Sequence, residues 1–160
     1  MSDLFDTLLR LGNVFELDFA FDLLALNAQL ADLGSQWGNG IVCPTLEQCP
    51  ALRPLTEHFG AELRSLRLQR FDKGGYLSPQ RQDVIKAGCF QILCPVFSTA
   101  NFIYMYGGER LHLEMGSVYF VNTLINHSVF SYMDGAILLT CDIELNSTAI
   151  HKLKSRLTER

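Results

Sequence analysis

Beyond Gly60 the chain breaks into short runs rich in β-branched and aromatic side chains, and the breaks carry glycine turn signals at Gly74-Gly75, Gly107-Gly108 and Asp134-Gly135. Branched and aromatic side chains suit a pleated surface, and glycine supplies the left-handed backbone of a tight turn, so such runs read as strands. They fall at Glu62–Phe71, Tyr76–Pro79, Cys89–Phe97, Asn101–Tyr106, Glu109–Glu114, Ser117–Asn122 and Ala136–Ile143. Seven or eight short strands predict a mainly β chain folded as a sandwich or a jelly-roll barrel.

Upstream the apolar spacing is helical. Leu4, Phe5, Leu8 and Leu9 form one stripe, and Phe19, Phe21, Leu23, Leu24, Leu26, Leu30 and Leu33 form another, parted by Gly12-Asn13. The spacing predicts two helices around an extended piece at Val14–Leu17, with Asp18 to cap the second and Gly34 to stop it. Glycines and prolines between Gly38 and Pro54 leave room for a short strand at Ile41–Cys43 and a short helix near Leu52–His58. Ser147–Arg160 is polar and basic with Ile150, Leu153 and Leu157 at helical spacing, which predicts a short surface helix. A chain of 160 residues has the size of one domain. The expected division is a helical flank over 1–45, a β core over 46–145 and a C-terminal helix over 146–160.

Thirteen Lys and Arg stand against seventeen Asp and Glu, a net charge of −4 with no basic stripe, which excludes nucleic acid as a partner. The five cysteines are odd in number and lack a CxxC pair, so they read as buried thiols in a reducing compartment. The N-terminus is acidic where a signal peptide is basic, and no apolar run is long enough for a bilayer. A cytoplasmic chain without a membrane partner is expected.

From Gly107 the chain reads GGERLHLEMGSVYFVNTLINHSVFSYMDGAILLTCDIEL. Gly108-Glu109-Arg110, the Gly116 turn, and Asn122-Thr123 followed by His127-Ser128 resemble the aspartyl/asparaginyl β-hydroxylases. The upstream segments CPALRPLTEHFG and RLQRFDKGGYLSPQRQD resemble the same family, so the match runs over roughly 46–143. The resemblance implies a double-stranded β-helix, cupin-like in its jelly roll, preceded by helices. It also implies the family's chemistry, Fe(II)- and 2-oxoglutarate-dependent oxygenation, with iron held by His-x-Asp and a distal His.

The same resemblance places uncharged residues where that chemistry needs ligands. Pro79-Gln80-Arg81-Gln82 stands at the family's Pro-His-x-Asp, so Gln80 and Gln82 occupy two metal positions and His127 alone is a standard ligand. An amide oxygen is a weak neutral donor that neither neutralises a dication nor selects it. The Arg that grips 2-oxoglutarate falls on Ala136, and the family's Arg-x-His falls on Gln91 and Leu93. A catalytically silent binding or interaction protein is therefore expected, with no cofactor and with a protein or a small polar ligand as partner. The alternative is an active dioxygenase acting on Asp or Asn side chains or a related small molecule. In it Fe(II) and 2-oxoglutarate would gather at His127, completed by Gln80, Gln82 or Asp83. A further alternative is a cupin-like metal site of His112, Glu114 and His127.

Other polar groups have plainer readings. His58 and His151 read as solvated, Cys89, Cys94 and Cys141 as core, and Arg64, Arg67 and Arg70 as a solvated strand edge. Aromatic residues on the strands fill the barrel. Gln80, Gln82 and Gln91 with His127 make a neutral pocket for a polar ligand or water.

Overall fold

The computed structural model describes residues 12–158 other than Asn39, Ala61, Glu62 and Ile85, together with Leu4, Asp6, Thr7 and Arg10. The first expected helix rests on Phe5, Leu8 and Leu9, which lie outside the described residues, as do Glu62 and the side chain of Leu157. The strands are β1 (Val14–Ala20), β2 (Ile41–Val42), β3 (Leu63–Phe71), β4 (Tyr76–Gln80), β5 (Cys89–Phe97), β6 (Phe102–Tyr106), β7 (Glu109–Leu111), β8 (Ser117–Val121), β9 (His127–Ser131) and β10 (Ala136–Glu144). The helices are α1 (Leu23–Ala31), α2 (Pro54–Phe59) and α3 (Ser147–Thr158). No helix among the described residues is long and apolar enough to cross a membrane.

Two antiparallel sheets, ordered β1-β8-β5-β10-β3-β2 and β4-β9-β6-β7, face each other as a double-stranded β-helix. The larger sheet is covered on both sides. Its outer face packs Leu68, Phe90, Ile92, Phe120 and Leu139 under Leu26 and Leu30 of α1, Leu55 and Phe59 of α2, and Ile150 and Leu153 of α3. Its inner face meets the smaller sheet around Phe71, Leu93, Phe102, Tyr104, Tyr119, Val129 and Leu138. Strand β5 lies between these two cores, and every residue from Cys89 to Val96 is buried. That explains its near-continuous apolar run, the pattern of a strand with both faces covered. Pro95, which has no N–H to donate, sits opposite the register shift between Ile137 and Leu138, where the ladder is already interrupted.

Three local expectations are corrected. The extended piece at Val14–Leu17 is the longer strand β1, paired with β8, so this segment belongs to the sheet and not to a purely helical flank. Phe15, Leu17 and Phe19 alternate onto the helix-covered core, a period of two that runs on into the start of the apparent helical stripe at Phe19. Because β1 takes in Asp18, the cap of α1 is Asp22, whose carboxylate accepts from the Ala25 N–H at 3.1 Å. The strand expected to reach Glu114 stops at Leu111, while His127–Ser131 forms β9, a strand absent from the sequence-based set. Strand β9 brings in the histidine.

Candidate functional site

Strand β4 ends at Gln80, whose Cα partner across the sheet is His127, the first residue of β9; on its other side His127 pairs with Tyr106 of β6. The segment after β4 is clamped at Gln82. Its backbone N–H donates to the Thr123 carbonyl at 2.8 Å, and the Thr123 hydroxyl donates back to the Gln82 carbonyl. Gln80, Gln82 and His127 thereby line one cavity inside the barrel with Gln91 of β5, Arg67 of β3 and Thr140 of β10. Its volume is about 20 Å³, room for about one water.

His127 is 7% exposed, and its ring lies parallel to that of Tyr104, with centroids 6.3 Å apart. In the neutral imidazole Nδ1–H donates to the Ile125 carbonyl at 2.9 Å, which leaves the lone pair on Nε2. Burial raises the Tyr104 phenol above its ordinary range, so it stays protonated. Gln91 joins the interior to the sheet edge: its Nε2–H donates to Asp142 Oδ1 at 3.0 Å and to Gln82 Oε1 at 3.3 Å. A second cavity of about 160 Å³ adjoins the first and is lined by Ser65, Arg67, Gln82, Gln91, Thr140 and Asp142.

The donor set does not fit Fe(II) with 2-oxoglutarate. Gln80 and Gln82 offer neutral amides where the resemblance calls for an imidazole and a carboxylate, so His127 is the only strong ligand among the described residues lining this cavity. Among the described residues, Arg67 is the one permanently charged side chain lining the cavity beside His127, and its sign repels a dication. Ala136 is fully buried in the inner core and lines neither cavity; Leu138, two residues on and on the same strand face, lines the smaller one. Leu93 is likewise buried in the inner core, paired with Thr140.

Sequence reasoning missed Arg67. The three arginines of β3 do not form one solvated edge. Arg64 pairs with Glu144 at 2.7 Å, and Arg70 lies over the Trp37 ring at 5.1 Å. Arg67 alternates with them onto the inner face and is half-buried. The available signal was the period-two set Arg67, Gln69 and Phe71, whose last member is core.

The alternative ligand sets are not assembled. His112 and Glu114 are exposed beyond β7 and line a separate cavity of about 400 Å³ with Arg110 and Phe102. Among the described residues no three His, Cys, Asp or Glu side chains gather as a metal site. Asp83 is exposed, and its carboxylate accepts from the Lys86 N–H at 2.9 Å, which closes a turn. His58 is half-buried, not solvated: it stacks on Phe19 at 4.8 Å, and burial, with Lys152 adding, lowers its pKa. Cys89, Cys94 and Cys141 are core, as the apolar strand positions predict. Burial pushes the Cys94 and Cys141 thiols up to about 12, which makes them poor nucleophiles.

The sequence matches no family model and no curated protein. Solved structures match by shape. The viral collagen prolyl hydroxylase of Paramecium bursaria Chlorella virus-1, in its 2OG complex, has a TM-score of 0.63 at 8% identity, covering 84% of this chain and 97% of that chain. A truncated form of the same protein gives 0.60 at 7% identity over 84% and 91%. A predicted oxalate decarboxylase from Thermotoga maritima gives 0.44 at 13% identity over 66% and 79%, too distant to carry an inference. At such identities the likeness is one of fold alone: the chain is a double-stranded β-helix.

Proposed function

We propose that this chain is a divergent, catalytically silent relative of the aspartyl/asparaginyl hydroxylases that uses the barrel to bind a small polar ligand or a protein partner. The reading rests on one observation: among the described residues the cavity beside His127 is lined by Gln80, Gln82 and the Arg67 guanidinium, with no carboxylate. Such a pocket hydrogen-bonds well and holds a divalent ion badly. On the resemblance, Gln80 and Gln82 stand at the former metal positions and Gln91 at a former oxoglutarate position; of the other two positions it assigns, Leu93 and Ala136 line neither cavity, and Leu138 replaces Ala136 at the cavity wall. Neither cofactor is expected.

One observation favours the alternative, an active Fe(II)- and 2-oxoglutarate-dependent dioxygenase. His127 donates from Nδ1 to a backbone carbonyl, as metal-ligating histidines do. Turnover separates the two readings. Incubated with Fe(II), ascorbate and 2-oxoglutarate, the protein is expected to release no succinate above the protein-free background. Succinate formation that disappears in His127→Ala establishes the dioxygenase instead.

A further inference from the structure

The charges at the mouth of the barrel define a ligand class. In the β3–β10 register Arg67 pairs with Thr140, and Ser65 pairs with Asp142. Arg67 and Asp142 are therefore diagonal neighbours on the inner face, with Cα atoms about 7–8 Å apart, within reach of a long side chain. They nevertheless form no ion pair. Among the described residues the Arg67 guanidinium has no hydrogen-bond or ion-pair partner, and the Asp142 carboxylate accepts only the Gln91 carboxamide. The space between them is the cavity of about 160 Å³, whose other walls include Ser65, Gln82, Gln91 and Thr140, every one able to hydrogen-bond. Ser65 is exposed and marks where the cavity meets solvent.

A half-buried guanidinium gives up hydration, and without a partner nothing offsets that loss. Two opposite charges held apart across a polar cavity are each free to meet a ligand group of opposite sign. We infer that this cavity takes a small zwitterion, its carboxylate against Arg67 and its ammonium against Asp142. The planar guanidinium matches a carboxylate with two parallel N–H donors. The ammonium has three donors, which the Asp142 carboxylate and the carboxamide oxygens of Gln82 and Gln91 can accept. A dianion such as 2-oxoglutarate meets repulsion from Asp142, so the site selects against the cosubstrate of the fold's oxygenases. The inference rests on the reading of the barrel as a binding pocket without iron chemistry.

The test is calorimetric titration of the full chain with glycine, β-alanine and γ-aminobutyrate, which space the two charges differently, beside acetate, methylammonium and succinate. At least one zwitterion is expected to bind saturably at one site, about tenfold or more tighter than any single-sign probe. Arg67→Gln and Asp142→Asn are each expected to weaken it by about tenfold or more while melting like the parent, since Asn keeps an oxygen for Gln91. Ligand-induced amide shifts confined to β3, β5 and β10 of the unmodified chain give the same answer should a variant fail to fold. Silence of all three zwitterions, acetate binding as tightly, or variants binding like the parent overturns the inference. A parallel titration with Mn(II) and 2-oxoglutarate keeps the failures apart. Silence there alongside silent zwitterions removes only the ligand class, whereas tight joint binding removes the underlying reading.

Discussion

The Gln80→His/Gln82→Asp double variant is expected to bind Co(II) or Mn(II) at least about a hundredfold more tightly than the parent, a gain of about 2.8 kcal/mol. Gln80 already faces His127 across the β4–β9 ladder, and the Gln82 backbone is held by two hydrogen bonds to Thr123, so the new ligands enter a positioned frame. Each exchange replaces a weak neutral oxygen with a strong donor, and the carboxylate adds the charge a dication requires. At an effective dielectric near 20, opposite unit charges about 4 Å apart interact by about 4 kcal/mol, which leaves room for the desolvation of the new side chain. Arg67 opposes the metal from the same cavity, so adding Arg67→Gln is expected to tighten binding further. Adding His127→Ala should abolish the gain. Calorimetry, or the visible absorption of bound Co(II), reads the result; unchanged affinity in the double variant contradicts the placement of these three residues as a former metal site.

The largest loss of stability is expected at Phe90. It is 1% exposed in the strand between the two cores, with its ring 5.6 Å from that of Phe59 on α2 and 6.3 Å from that of Phe120 on β8. Phe90→Ala empties the contact between the helical layer and the larger sheet, and should cost about 3–5 kcal/mol. For a domain with a total of about 5–15 kcal/mol this is a large fraction. Leu24, 86% exposed on α1, is the control: Leu24→Ala should change stability by less than about 0.5 kcal/mol. Urea midpoints compared at constant m measure both, and similar midpoints would contradict the two-sided packing of β5.

What could be read from the sequence follows from which patterns are local. Strand β5 is read to its ends because its apolar run is continuous and bounded by turns, while β8 and β10 differ from expectation by one residue each and β3 agrees over its described residues. The first half of β1 was read as the extended piece at Val14–Leu17, and its continuation to Ala20 was hidden because Phe19 merges with the helical stripe that follows. Strand β9 was hidden because two of its three inward positions, His127 and Ser131, are polar, so the run lacks hydrophobic alternation. At the site, the resemblance puts Gln80, Gln82 and Gln91 together with His127, and the register places all four on one cavity. Ala136 shows the limit of such matching. A shift of two residues keeps the same strand face, so alternation cannot choose between Ala136 and Leu138, and only the cavity does. Arg67 and Asp142 were invisible as a pair because the diagonal that joins them exists only once β3 and β10 are in register.

Everything proposed for this barrel depends on its inability to hold a divalent ion together with a keto dicarboxylate. Anaerobic calorimetry of the unmodified protein with Mn(II), in the absence and then the presence of 2-oxoglutarate, measures that directly. The predicted result is no saturable metal binding in either titration. One equivalent of metal bound tightly, and more tightly once 2-oxoglutarate is present, would contradict it.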